Sequence, residues 1–390
     1  MVRSTTPPHK TTLILMTGLS VLSLNMFLPS LGSIARDLSS DYAVVSLAVA
    51  GYLALSAVVQ LIAGPLSDRI GRRPVVLGSI VVFILCSAAC AVATNVWTFL
   101  GFRMLQSAMV ACGAVAMAAV RDTQDEQTAA GTLSTISAAM ALAPMLGPVL
   151  GGFLDTAFGW RSVFWFYAGS GVVLLALVWV DMGETRVLRT EDEPKPRIAE
   201  LLGDVRYWAF VLCTAFSVGS FFIFLAGAPL VAESSFDISS AEIGLIIGSI
   251  TFGFMFGSFV SARLSKRLAL TQTILIGRVL ACVGLSAGLV VMAFVPVTPL
   301  LFLATTLFVG VGNGLTMPNG NAGAMSVRPD MAGSAAGISS AFMVALGAVL
   351  TFLSGFVLAV IATPQALIIM MLGSAVIGLF AAYAAHRFRN

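Results

Sequence analysis

Apolar residues run along this chain in long blocks, each about the 20 residues that cross a bilayer as a helix. The blocks are 13–34, 42–63, 74–94, 97–119, 128–154 and 162–181. A charged stretch, Asp181 to Arg206, follows, with Glu191-Asp-Glu-Pro-Lys-Pro-Arg197 at its heart. The blocks then resume at 208–231, 240–261, 271–295, 299–319, 333–358 and 365–385. The pattern predicts an all-α integral membrane protein of 12 transmembrane helices. Residues 1–181 form one six-helix bundle and 208–390 a second, joined by a linker over 182–207. The first block has the length of a signal peptide, but Pro29 and the spans that follow favour a retained first helix.

Composition agrees. The chain is 58% hydrophobic and 10% charged, against about 25% charged in soluble domains. Its solvent is therefore lipid, with the protein spanning the membrane many times. The net charge of +3 is too small, and its bases too dispersed among loops, to point to nucleic acid. With the N-terminus in the cytoplasm, 17 of the 21 Lys and Arg residues fall on the cytoplasmic side. Only Arg36 and Arg161 fall outside, while Arg103 and Arg278 lie within spans. That asymmetry places both termini inside.

The halves are related. A shift of 194 residues carries Ser67-x-Arg69-x-x-Arg72-Arg73 onto Ser261-x-Arg263-x-x-Lys266-Arg267, with Ala262 where Asp68 stood. A repeat at half the chain length predicts a transporter made of two bundles, with its site between them near the midplane.

Several chemistries are excluded. The cysteines 86, 90, 112, 213 and 282 lie in apolar blocks without zinc-type spacing, as small packing residues. The histidines, His9 and His386, are at the ends. No paired acids, H-E-x-x-H or nucleophile with its base stands within a span, so no enzyme is expected. The phosphate loop of a nucleotide-driven pump is missing too. No cofactor or metal is called for.

The polar stretch Gly64-Pro-Leu-Ser-Asp-Arg-Ile-Gly-Arg-Arg-Pro74 reads as a tight cytoplasmic hairpin. Gly64 and Gly71 suit close approach or unusual dihedrals, and Pro74 suits the first turn of the next helix. Gly64, Leu66, Asp68, Arg69, Gly71, Arg72 and Arg73 match the loop signature G-x-L-x-D-R-x-G-R-R/K, so the chain resembles the major facilitator superfamily. The resemblance implies a charge relay of Asp68, Arg72 and Asp122. It would latch the inner gate, with Asp68 facing the start of the eleventh helix near Gly333 and Ser334. Plain solvation of helix ends is the alternative for Asp68 and for Asp122.

Within the spans, Arg103 and Gln106 match the family's R-x-x-Q on the fourth helix, with Ser107 where glycine is usual. A charge in the hydrocarbon is costly and faces a polar interior; the alternative is snorkelling to the outer face. Arg278, near the cytoplasmic side of the ninth helix, is expected to snorkel, with a substrate role as the alternative. The fifth helix carries Pro144, Gly147, Pro148, Gly151 and Gly152, similar to the antiporter branch's motif, implying a hinge or seal between bundles. Leu24-Asn-Met-Phe-Leu-Pro-Ser30, Val120-Arg-Asp122, Gly183-Glu-Thr185, Phe224-Leu-Ala-Gly-Ala-Pro229 and Pro329-Asp-Met-Ala-Gly333 narrow the resemblance to the bicyclomycin and chloramphenicol resistance exporters. These imply a monomeric, multi-pass protein of the bacterial inner membrane that exports drugs against protons.

One departure matters. Asn25 stands where that group has an acid, and no Asp or Glu lies mid-span. Asparagine does not titrate. If protons couple, the candidates are Asp122 beside Arg121, or Asp155 and Glu233 if water reaches them from outside. A cavity with Arg103 and no deep acid favours neutral or anionic amphipathic solutes over cations. Asn25, Gln60, Gln106, Asn313 and Asn319 are its candidate polar lining. Met26, Phe27, Tyr52, Phe221 and Phe224 are the candidate adaptable walls, with packing or lipid contact as the alternative for each. The second reading is a metabolite carrier or facilitator without proton coupling.

Overall fold

The computed structural model describes residues 8–123, 126–185, 198–236, 238–265, 267–328 and 331–388. At 121, 122, 126–131, 133, 134, 137–139, 141, 198, 199, 332 and 333 it describes the backbone alone. All regular structure among these residues is helical. The chain divides into two compact units, Met1–Glu193 and Pro194–Asn390.

The first unit holds α1 (Lys10–Asn25), a 3₁₀ turn at Leu28–Ser30, α2 (Leu31–Asp37), α3 (Tyr42–Ile70) and α4 (Arg72–Ala91). It continues through α5 (Val96–Leu105), a second 3₁₀ turn at Gln106–Met109, α6 (Val110–Thr123), α7 (Glu126–Phe158) and α8 (Arg161–Asp181). The second unit holds α9 (Ile198–Leu202), α10 (Val205–Phe236), α11 (Ser240–Leu264), α12 (Leu270–Phe294), α13 (Pro299–Ser326), α14 (Ala332–Val360) and α15 (Pro364–Arg387). Among the described residues, 11 helical stretches are long and apolar enough to cross a membrane, and Leu142–Phe158 of α7 adds a shorter apolar segment. Large apolar side chains such as Leu61, Phe252, Phe256 and Phe380 point outward, as expected where the surrounding solvent is hydrocarbon.

Two sequence expectations are corrected. The first apolar block is not one helix. α1 ends at Asn25, because Pro29 has no N–H to donate one turn back and its ring crowds that turn. The 3₁₀ turn at Leu28–Ser30 and α2 complete the span. The stretch 64–74 makes the expected tight hairpin, but almost all of it is helix where a loop was expected. α3 continues through Pro65 to Ile70, and α4 begins at Arg72. Gly71 alone makes the turn, at φ 107° and ψ 151°, a region open to glycine and almost nothing else.

Inside the first unit α1 packs on α7 and α6, and α4 on α8. Phe27, Phe99, Trp160, Phe164 and Tyr167 form a chain of tilted and edge-to-face ring contacts, a geometry the ring quadrupoles favour. The second unit is built around α10, which packs against α13, α14 and α15. There Tyr207 is buried and its hydroxyl donates to the Ala335 carbonyl at 2.8 Å.

Candidate functional site

The break in α1 creates the polar centre of the first unit. A helix end leaves its last four carbonyls without intrahelical donors. Ser23, in that last turn, receives Nη2 of Arg103 at 2.7 Å on its carbonyl. The Leu22 carbonyl, which takes the Met26 N–H at 3.0 Å, also accepts the Tyr167 hydroxyl at 2.9 Å. Arg103 is 0% exposed. Its Nη1 donates to Gln106 Oε1 at 2.6 Å, and Gln106 Nε2 donates to Ser87 Oγ at 2.6 Å. The guanidinium lies over the rings of Phe27, at 4.1 Å, and Tyr52, at 4.3 Å. The Tyr52 hydroxyl shares a hydrogen bond with Ser23 Oγ.

This is a buried cation held by neutral groups. Among the described residues no carboxylate pairs with Arg103, and its Nε has no hydrogen-bond partner. Two aromatic faces and two charge-assisted hydrogen bonds offset part of the burial cost. Asn25, the last residue of α1, donates Nδ2 one turn back to the Val21 carbonyl at 2.8 Å, while its buried Oδ1 has no donor. Met26 and Phe27 are fully buried, and Gln60 is half-buried on α3.

On α7, two motif glycines lie along α1. A Cβ on Gly147 would sit 3.0 Å from Leu22 Cδ2, and one on Gly151 would run into the Met26 carbonyl oxygen. These glycines therefore make room for the broken end of α1 within their own unit. Pro148 and Gly152 are buried, and Pro144 is half-buried.

The second unit has its own buried cation. Arg278 does not snorkel, contrary to the expectation from its place in the span; it is 0% exposed. Its Nε donates to Thr316 Oγ1 at 2.9 Å and its Nη2 to Asn313 Oδ1 at 2.7 Å, and Ser217 Oγ also donates to Asn313 Oδ1 at 3.0 Å. Internal hydroxyl and amide acceptors hold it in place of water at the membrane face. Its Nη1 has no partner. Asn319 is engaged elsewhere: Nδ2 donates to Ser261 Oγ at 2.7 Å, and Ser265 Oγ donates to its Oδ1 at 3.3 Å. Phe224 is fully buried and Phe221 partly so. The 194-residue shift relating the two halves also carries Ser23 onto Ser217, so the first long helix of each half, α1 and α10, supplies a serine to a buried arginine network.

At the α3–α4 turn, Arg72 Nη2 pairs with Asp68 Oδ1 at 2.9 Å, and Arg72 Nη1 donates to Ser67 Oγ at 2.8 Å. Asp68 is half exposed, so the pair contributes little, at most about 1 kcal/mol. The stronger tie has no sign in the local sequence. Glu184 Oε1 accepts the backbone N–H of Arg72 at 2.8 Å, and Arg73 Nη2 donates to the Trp179 carbonyl at 2.7 Å. The turn is thus clasped to the end of α8. Arg69 is exposed. The side chain of Asp122, the remaining relay residue, lies outside the described residues. Gly64 does not have the close approach expected of it: it is helical, with open space where a Cβ would stand.

The clasp gives a graded prediction. Gly71→Ala places a methyl on the Glu184 carboxylate and forces a strained dihedral, costing about 1–3 kcal/mol. Gly64→Ala is neutral or slightly stabilising, since alanine favours a helix. Thermal unfolding in detergent checks both. In a Glu184→Ala background Gly71→Ala costs less, by the part that is collision.

Comparison with known proteins gives a consistent result. The Major Facilitator Superfamily model matches residues 13–352. A chloramphenicol resistance protein of Pseudomonas aeruginosa is 30% identical over 315 residues, 77% of this chain and 73% of that protein. A multidrug resistance protein, MdtL, of Escherichia coli O45:K1 is 30% identical over 326 residues, 81% of each chain. Among solved structures, a bacterial homologue of the human lysosomal transporter Spinster, inward-facing and occupied, superposes with TM-score 0.76 at 15% identity over 97% of this chain and 96% of that one. A mutant of the nucleoside transporter NupG gives 0.74 at 15% identity over 96% and 99%.

Proposed function

The chain belongs to the major facilitator superfamily, a family of transporters rather than enzymes, and from that premise we propose that it exports small neutral or anionic amphipathic compounds by alternating access, in exchange for protons. In this reading it has 12 spans, with both termini in the cytoplasm of a bacterium and the protein in the inner membrane as a monomer. The bases concentrated in one set of loops support that orientation.

The observation that carries the substrate class is Arg103. It is a fully buried cation without a carboxylate partner among the described residues. On the same unit, two residues after the Ser23 that holds it, Asn25 has a buried acceptor with no donor. A site with this charge repels lipophilic cations and accepts neutral hydrogen-bonding or anionic solutes. Chloramphenicol, the compound in one relative's name, is neutral and hydrogen-bonding, and it is the probe of choice.

Transport by purified protein in liposomes under an imposed pH gradient tests the proposal. Accumulation of chloramphenicol or an anionic drug driven by the gradient, with protons moving the opposite way, supports it. Preference for lipophilic cations sinks the substrate class. Movement that ignores the gradient favours the second reading, a facilitator or metabolite carrier, for which Asn25 in place of an acid is the supporting observation.

The Asp68–Arg72 pair, with Asp122 as its third member, is proposed as the inner latch. Asp68→Asn is expected to slow turnover while leaving probe affinity near that of the wild type, measured by equilibrium binding alongside transport. An equal loss of binding would argue against a latch.

A further inference from the structure

We infer that Asp155 is the carboxyl that takes up and releases the coupling proton. The inference deepens the antiport reading and rests on it. Among the described residues Asp155 is the one buried carboxylate, 7% exposed. It stands in the last turn of α7, on the stripe that also bears Gly147 and Gly151, at helical spacing. That stripe follows the first span: Gly147 meets Leu22 and Asn25, Gly151 meets Met26, and Asp155 accepts from Ser33 Oγ of α2 at 3.0 Å. The acid therefore lies on the same seam as the break in α1 and the Arg103 anchor.

The hydrogen bonding suits a group that changes protonation. An ionised Asp155 accepts the Ser33 hydroxyl. A protonated one donates its own O–H to the Ser33 oxygen, so one partner serves both states. Ser30 Oγ, one turn earlier, is buried with no partner. The charged groups around the site come from two elements. Arg36 on α2 donates Nη2 to Ser33 Oγ at 3.4 Å. Asp37 on α2 is taken by Arg161 at the start of α8 and by the Trp160 indole. Further along α8, the Tyr167 hydroxyl is committed to Leu22. α1 and the 3₁₀ turn present no titratable group here. On α7 itself the other acid, Glu126, is at the opposite end, as are Arg121 and Asp122 of α6.

The step is a proton transfer and nothing more. A proton from water on one side adds to the carboxylate, giving the neutral acid. It returns to water on the other side as substrate moves the opposite way. The neutral acid avoids the cost of a buried ion during the conformational change.

Two measurements on the full-length protein test this. The first needs no substrate. An infrared pH titration of purified protein is expected to show a protonated-carboxyl band that D155N loses and D155E shifts. An unchanged band in D155N overturns the assignment. The second uses chloramphenicol in liposomes. D155N is expected to keep gradient-free exchange but lose gradient-driven accumulation and the accompanying proton movement. Full accumulation by D155N overturns the inference while leaving antiport intact. Wild-type movement that ignores the gradient overturns antiport itself, and Asp155 coupling with it. If D155N does not fold, S33A takes its place. It alters only the partner, and is expected to shift both the band and the pH profile of transport; an unshifted band in S33A and D155E overturns the assignment.

Discussion

Arg103→Ala is expected to abolish transport in reconstituted protein while the helices remain assembled. The variant loses two charge-assisted hydrogen bonds, each about 1.5–3 kcal/mol. It also loses two cation–ring contacts of about 0.5–2 kcal/mol apiece. Against this stands the relief of a buried charge, worth several kcal/mol on the order seen for desolvated ions. These contributions oppose one another, so stability changes far less than activity. What cannot be replaced is position. Arg103 fastens the 3₁₀ turn after α5 to the carbonyl at the broken end of α1, through Gln106 on one side and Ser23 on the other. Arg103→Lys is expected to fail as well, because an ammonium lacks the planar fork and does not stack between two rings. Arg103→Met fills similar volume without charge, and should be at least as stable as the wild type in thermal unfolding, yet inactive. Wild-type transport in the alanine variant would place Arg103 outside the mechanism.

The apolar blocks and the family signature are legible because they are written in consecutive residues. A run of 20 apolar positions or G-x-L-x-D-R-x-G-R-R needs no knowledge of what lies across the bundle. The polar pairings are not legible for the opposite reason. Glu184 reaches Arg72 across 112 residues of chain, and nothing in either local stretch announces the other. Arg278 misleads because distance from a span's end is the only clue its sequence offers. The hydroxyl and amide acceptors at Thr316 and Asn313 that make burial tolerable stand on a different helix. The break in α1 does have a signal, Pro29, but hydropathy alone runs straight through it. Asp155 is legible as an acid near a span's end and not as a buried one, since its burial depends on the first span, through the 3₁₀ turn and Ser33, lying alongside α7.

Gly151→Ala is expected to be the most damaging single-methyl change in the first unit, because the obstacle is backbone. The new Cβ would run into the Met26 carbonyl oxygen and stand 2.6 Å from its carbon. Neither atom rotates away, so α1 and α7 must separate, at a cost of about 3 kcal/mol or more. Separation also shifts the end of α1, which moves the Ser23 carbonyl off Arg103 and should remove transport with stability. Gly147→Ala, one turn away, meets the flexible end of Leu22 at 3.0 Å; it should cost under about 1 kcal/mol, part of it returned by alanine's helix preference. Thermal unfolding of the two variants side by side decides the matter, and equal stability would mean the α1–α7 seam is looser than its geometry. A third variant separates backbone from side chain. Met26→Ala removes the Cγ that lies 3.0 Å from the new methyl but leaves the carbonyl in place. It should therefore fail to rescue Gly151→Ala, because the carbonyl that blocks the methyl belongs to the same broken turn that Arg103 and Tyr167 hold.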